Sequence, residues 1–361
     1  MLLENISLEK VKKKILHIFN FETKFSKDYF DFLGDNGFNL SNHSLFHYGK
    51  VDTFFDKFNF NYTFSKSYFS IWKHIKLLRM MFNSNKIIAH NLASPWLLLY
   101  LYLFPKLTPK VYWVIWGKDL YFYQLLEKKF FYHRVYEFFR KKVFKNISQI
   151  ITYVDGDAKL AYDWYSVNAK IYKSFMYPSN LYKSYNTTHN KNISKPLNIQ
   201  VGNSADPSNN HENVFLKLLK YRNDNIHIFA PLSYGDVKHA EKINKLGKNL
   251  FGSKFTPLNK FLKPNEYVEY LNNIDIAIFA QKRQQALGNI ITLIGLGKTV
   301  YLRKDVSTWA LFENISVKVK NIENLTLNLF NSNQIQSNIT IIKDEFSPKN
   351  LKEQQVIIFA D

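Results

Sequence analysis

The chain has no cysteine among its 361 residues. That excludes a disulfide framework and any thiolate zinc or iron–sulfur site, and it fits a reducing compartment. A metal would have to be held by histidines and carboxylates. Long apolar runs are also missing: the longest, Leu92 to Phe104, is broken by Pro95 and falls short of the ~20 residues a membrane-spanning helix needs. It reads as a buried or interfacial helix. Met1 to Asn20 has no apolar stretch followed by small residues at a cleavage site, which predicts no signal peptide and a cytosolic chain. Acidic residues are few, 29 against 49 Lys and Arg, for a formal net charge of +20. Such a surface attracts polyanions, whether lipid headgroups, phosphorylated substrates or nucleic acid, and charge alone does not choose among them. Heavy use of Asn, Lys, Ile, Phe and Tyr is also what an AT-rich coding sequence produces.

At 46% apolar, the chain can bury a core in each of two ordinary domains. Four apolar runs are each followed by a polar turn and a helical stretch: Lys14 to Phe19, Lys86 to His90, Val111 to Trp116 and Gln149 to Tyr153. A helix is expected to open around Asp28 to Leu33. Runs apolar at consecutive positions and separated by helical lengths imply parallel strands covered on both faces. The segment from Pro178 to Pro196 is polar and irregular, and reads as a linker. The alternation then restarts at Leu197 to Val201, Ile226 to Phe229, Asp275 to Phe279 and Thr299 to Leu302. The expected organisation is an α/β protein of two doubly wound Rossmann-like domains: residues 1–180, a linker 181–196, residues 197–345, and a helical segment 346–361.

Several strand ends carry residues suited to chemistry. In Ile199 to His211 (IQVGNSADPSNNH) a strand runs into Gly202, Asn203 and Ser204, then a helix expected to start near Ser208 or Asn209. A strand end feeding a helix amino terminus presents N–H groups and a dipole to phosphate. Asn209 with Glu212 also fits a capping box, and the same residues could be no more than turn and cap residues. Gln281 to Ile290 (QKRQQALGNI) follows another strand. There Arg283 can neutralise a diphosphate with its planar fork, Gly288 permits close backbone approach, and Gln284, Gln285 and Asn289 add neutral donors. Both loops lie in one half and could converge on one ligand.

In the first half, Asp119 after Trp116, Gly117 and Lys118 is placed for a general base or for a helix cap. His90, at a strand end, is a fainter candidate for a base or ligand contact. Asp155 and Asp157 could share a cation, but Gly156 between them suggests a turn. Lys128 to Lys145 interleaves seven Lys or Arg with aromatics and one acid. It suits either the headgroup layer of an anionic membrane or a helix packed on the sheet with a solvated basic face.

At these residues the sequence resembles glycosyltransferase family 56, the N-acetylfucosaminyltransferases of enterobacterial common antigen assembly. The resemblance is carried by WVIWGKDLY (Trp113 to Tyr121), VGNSADPSNNH (Val201 to His211), APLSYGD (Ala230 to Asp236) and FAQKRQQALGNI (Phe279 to Ile290) with Leu293 to Leu302 behind it. It extends with gaps from about Lys14 to about Phe346. The segment Asn39 to Ser70 carries no family motif and is expected to contribute acceptor contacts. The resemblance implies a GT-B fold, the second domain holding the sugar nucleotide, the first holding the acceptor, and reaction in a cleft between them. It implies transfer of 4-acetamido-4,6-dideoxygalactose from its thymidine diphosphate to a polyprenyl-diphosphate-linked saccharide, at the cytoplasmic face of the inner membrane.

The expected donor site is then Gly202, Asn203, Ser204, Ser208, Asn209, Tyr234, Arg283, Gln284, Gln285, Gly288 and Asn289. Asp119 is the expected base, and Trp116, Lys118 and His90 should border the acceptor. No cofactor or metal is expected, Arg283 and helix-terminus N–H groups meeting the charge of the leaving group. Expected partners are the nucleotide sugar, the lipid-linked glycan and the anionic membrane surface. Two rival readings are a basic nucleic-acid-binding protein, which lacks any helix-turn-helix, zinc or RNA-recognition signature here, and an inactive GT-B scaffold subunit.

Overall fold

The computed structural model describes residues 14–20, 23–50, 52–66, 70–125, 130–184 and 195–360. Residues 185–194 of the expected linker, and Lys128 and Lys129 of the basic segment, lie outside that set. The chain divides into two compact units, Met1–Ser179 with Pro348–Asp361, and Asn180–Ser347.

The first unit runs β1 (Ile15–Phe19), α1 (Thr23–Asp35), β2 (His43–Tyr48), β3 (Asn61–Ser65), α2 (Ile71–Phe82), β4 (Lys86–His90), α3 (Pro95–Leu103), β5 (Val111–Val114), α4 (Lys118–Leu125), α5 (Phe131–Phe144), β6 (Gln149–Thr152), α6 (Asp155–Tyr165) and β7 (Lys170–Lys173). Its strands pair in parallel in the order β3-β2-β1-β4-β5-β6-β7. β1 and β4 are buried at every position, as expected of central parallel strands that have helices on both faces. Leu16 and Ile18 enter one core with Trp113, Phe144 and Leu98. Each such large apolar side chain contributes roughly 1.5–3 kcal/mol when fully buried.

The second unit runs β8 (Leu197–Val201), α7 (His211–Leu218), β9 (Ile226–Pro231), α8 (Val237–Phe251), β10 (Phe255–Leu258), α9 (Pro264–Asn272), β11 (Ile276–Phe279), α10 (Leu287–Gly295), β12 (Thr299–Leu302), α11 (Ser307–Asn314), β13 (Lys320–Asn321) and α12 (Ser332–Glu345). Its order, β10-β9-β8-β11-β12-β13, is that of the dinucleotide-binding α/β fold. In both units the order reverses beside the first strand, at β1/β4 and at β8/β11. Ligands bind at such switch points, where flanking loops diverge beyond the strands' carboxyl ends.

The last helix, α13 (Pro348–Ala360), returns to the first unit. Its Gln355 Oε1 accepts from Tyr29 Oη at 2.8 Å, Gln354 Oε1 accepts from Phe175 N at 3.2 Å, and Phe359 sets an edge on His43. The sequence gives no sign of this docking. The segment Asn39 to Ser70 forms β2 and β3, whose aromatics and histidines conceal the aliphatic pattern of a buried strand.

Candidate functional site

In the second unit the two phosphate-loop candidates meet at the β8/β11 switch point. Gly202 leaves β8 with φ +68°, and its N–H donates to Ile278 O of β11 at 2.9 Å. A side chain at Gly202 would meet His211 Nε2 at 2.7 Å and Asn209 Oδ1 at 2.9 Å, so only glycine fits this turn. His211 Nε2, buried beneath it, has no hydrogen-bond partner among the described residues. Burial, with His239 beside it, holds His211 at about 3, so the ring is neutral.

Asn209 does not cap a helix. Its Nδ2 donates to Ser204 O, Ser204 Oγ and Asp206 O, each at 3.1 Å, and its Oδ1 accepts from Asn203 N at 3.1 Å. A short 3₁₀ turn, Pro207–Asn209, intervenes, and α7 starts at His211 with Asn210 in the left-handed conformation before it. The expected capping box is therefore corrected: the amide needed to staple a loop cannot also serve the helix.

The second loop is bonded to the first. Gln285 Nε2 donates to Asn203 Oδ1 at 3.1 Å and Ser204 Oγ at 3.4 Å, while Ser208 Oγ donates to Gln285 Oε1 at 2.9 Å. Gln281 Nε2 donates to Asn203 Oδ1 at 3.1 Å. Arg283 Nη2 pairs with Asp206 Oδ2 at 3.2 Å, and the Arg283 side chain is 9% exposed. Burial raises the Asp206 carboxyl, but hydrogen bonds from Ser208 and the Arg283 charge outweigh it, and the net shift is downward. Gln284, Gly288 and Asn289 are half-buried. Gly288 and Asn289 lie in the first turn of α10, whose N–H groups point out along the axis, and Asn289 Oδ1 accepts from Tyr267 Oη at 3.0 Å.

A third loop, after β9, completes the constellation. Gly235, at φ +116°, lies so close to the first loop that a Cβ there would fall 2.7 Å from Ala205 C. Ala205 N donates to Tyr234 O at 2.7 Å, and Asn203 Nδ2 donates to Tyr234 Oη at 2.8 Å. Tyr234 is 47% exposed and its ring stacks on Phe261 at 5.8 Å, a platform suited to a planar base. Sequence reading missed Gln281, Asp206, Gly235 and Phe261. Asp206, Gly235 and Gln281 lie inside the quoted motifs but were not among the expected donor-site residues, and Phe261 lies outside them.

In the first unit, Asp119 is 2% exposed. Its Oδ2 accepts from Trp113 Nε1 at 2.7 Å and Leu92 N at 3.2 Å, and its Oδ1 accepts from Trp116 N at 3.0 Å. Burial raises its pKa, and these three donors and Arg140 pull it back. Arg140 of α5 is also fully buried, bonded to Glu137, Tyr165 and the carbonyl of Asp119. It is therefore not one of the cations that α5 offers to a surface. The outward face of α5 instead shows Phe131, Tyr132 and Phe138. Trp116 is half-buried and Lys118 exposed. His90 is fully buried, stacked on Phe19 at 3.6 Å, with Nδ1 2.6 Å from Tyr177 Oη. Asp155 and Asp157 diverge, the first pairing with Lys173 at 3.8 Å and the second accepting from Tyr121 Oη at 3.0 Å. Among the described residues no group of three or more metal-ligating side chains occurs, and no helix is long and apolar enough to cross a membrane.

Solved structures share this architecture. A glycosyltransferase of Rickettsia africae ESF-5 superposes with TM-score 0.61 at 13% identity, covering 97% of this chain and 98% of its own. HepE of Anabaena, solved with UDP and glucose, gives 0.67 at 10% identity over 96% and 99%. WaaG, a glycosyltransferase involved in lipopolysaccharide biosynthesis, gives 0.54 at 13% identity over 94% and 93%. Likeness at these identities speaks for the fold, which is GT-B. Residues 58–351 match the family described as 4-alpha-L-fucosyltransferase, glycosyl transferase group 56. That match spans most of the sequence and sets aside the nucleic-acid-binding reading: the chain belongs to glycosyltransferase family 56 and is a GT-B glycosyltransferase.

Proposed function

We propose that the protein transfers an acetamido-dideoxyhexose of the 4-acetamido-4,6-dideoxygalactose type from its thymidine diphosphate to a polyprenyl-diphosphate-linked saccharide, as in enterobacterial common antigen or related surface polysaccharide synthesis. The observation that carries the reading is the meeting of the Asn203–Ser204 and Arg283–Gln285 loops at the β8/β11 switch point, beside the amino terminus of α10. A pyrophosphate there faces helix N–H groups, Ser204, Gln285 and the remaining Arg283 donors, which act on the leaving group without a metal. The Tyr234–Phe261 pair is the platform for the base. HepE carries UDP in its solved complexes, which supports a nucleoside diphosphate as the ligand class.

The acceptor lies against Trp116 and Lys118. In this reading Asp119 holds the Trp116 loop and does not take the acceptor proton, since a base must reach the hydroxyl and this carboxylate is turned inward onto three donors. The exposed aromatics of α5, with Arg134, Lys141 and Lys142 on the same helix, seat the enzyme peripherally on anionic lipid at the cytoplasmic face of the inner membrane. Thermal denaturation with thymidine, uridine and guanosine diphosphates tests the donor site. A ligand that binds the native state at a hundred times its Kd adds about 2.7 kcal/mol of stability, and thymidine diphosphate should give the largest shift. Indifference to all three nucleotides would refute the reading.

A further inference from the structure

On the face of the first sheet covered by α1 and α13, four side chains form a continuous line of hydrogen bonds. His43 Nδ1 lies 2.9 Å from His17 Nε2, His17 Nδ1 lies 3.0 Å from His90 Nε2, and His90 Nδ1 lies 2.6 Å from Tyr177 Oη. Trp116 Nε1 then donates to Tyr177 Oη at 2.8 Å. The register explains the line: His43 pairs with Ile15 and His90 with Phe19, so His17, midway along β1 and on the same face, reaches diagonally to both. Tyr29, Phe30 and Phe359 close over the rings.

Each contact between two neutral imidazoles holds one proton, and each ring has one N–H and one bare nitrogen. The tautomer of one ring therefore fixes that of the next. Trp116 at one end is a donor only, so Tyr177 Oη accepts from it, and His90 Nδ1 at 2.6 Å is placed to take the phenol's own proton. The sense then propagates, His90 Nε2–H to His17 Nδ1 and His17 Nε2–H to His43 Nδ1. A second proton on a bridging ring would set N–H against N–H. Lys86, which bears on His17 and His43, and His47, which bears on His90, further oppose a positive charge. An apolar trio would fill this space with no pairing requirement, whereas a fully satisfied polar network fixes orientation.

We propose that His43, His17, His90 and Tyr177 form one directional hydrogen-bond chain that locks the Trp116 indole as the platform for the acceptor sugar. His90 and Tyr177 are then positioning residues, acting on the acceptor only through Trp116. Two buried devices converge on that residue, Asp119 on its backbone N–H and the histidine chain on its ring, while Phe25 sets an edge against the indole at 4.8 Å. The half-buried ring is thereby held from both ends at the carboxyl end of β5.

The inference rests on the placement of Trp116 at the acceptor, so the test separates the two. In the intact protein at pH 7, ¹⁵N–¹H spectra of labelled histidine should show His17, His43 and His90 all as Nε2–H tautomers. In Tyr177→Phe, the Trp116 indole N–H resonance should move. With a lipid-linked saccharide, Tyr177→Phe should raise the acceptor KM about tenfold and leave nucleotide affinity unchanged. In a Trp116→Phe background, adding Tyr177→Phe should cost nothing more. Nδ1–H tautomers, an unmoved indole signal, or additive costs of the two substitutions would each overturn the proposal. Absence of turnover with any lipid-linked saccharide counts against the functional reading alone, and the spectra then decide the chain.

Discussion

In the proposed donor site Arg283 brings the positive charge, and its pairing with Asp206 sets what its loss should do. Charge-assisted hydrogen bonds contribute about 1.5–3 kcal/mol each, so Arg283→Ala should weaken nucleoside diphosphate binding by roughly 10- to 100-fold, read by calorimetric titration. Arg283→Lys keeps the charge but not the fork, and should recover only part of the loss. Affinity unchanged in both variants would remove Arg283 from the site. The sequence singles it out because a planar cation just after a strand suits a diphosphate. It does not single out the Asp206 partner, since the two are 77 positions apart in the chain and nothing in either loop's sequence marks the contact. Asp119 shows the converse: its position after a strand suited a base and a cap equally, whereas its carboxylate accepts from Trp113, Leu92 and Trp116, none of them a donor of α4.

Among elements, the loop after β9 is held to the loop after β8 by an approach that leaves no room for a side chain. Gly235→Ala brings both a clash with Ala205 and an unfavourable φ, and should destabilise the protein by about 1–3 kcal/mol while lowering nucleotide affinity. Urea denaturation and titration check the two effects, and a substitution silent in both would show that the loops move independently. The strands that sequence reading recovered most plainly, such as β5 and β11, are uninterrupted runs of apolar residues inside a sheet. Those it missed have other patterns for physical reasons. β2 spends two positions on His43 and His47, β7 is an edge with a lysine at each end, β10 contains Pro257, and β13 has two residues. The helix expected at Ser208 starts three residues later, because Asn209 is committed to the loop.

At the scale of the whole molecule, buried neutral histidines couple stability to pH. His43 and His47 are held at about 4 and His211 at about 3, in each case chiefly because burial strips water from the charged ring. As pH falls below 6.5 the unfolded chain takes up these protons and the folded chain does not, until the folded values are reached. Stability is therefore full above pH 6.5 and lost progressively toward pH 4, His43 alone contributing on the order of 3 kcal/mol. Asp119, raised by burial, acts in the opposite sense, but one carboxyl stands against several rings. Urea midpoints at pH 7, 5.5 and 4.5 should fall in that order, and a flat profile would show that the rings are hydrated. The return of α13 has a further consequence for how the molecule is made. Its residues are synthesised after all of Asn180–Ser347, so a growing polypeptide exposes the α1 side of its first sheet, histidines included, throughout the production of an entire second unit. Maturation is thus out of translational order: the later-made lobe can finish while the earlier one still waits for its cover, and that interval is when chaperone protection matters most.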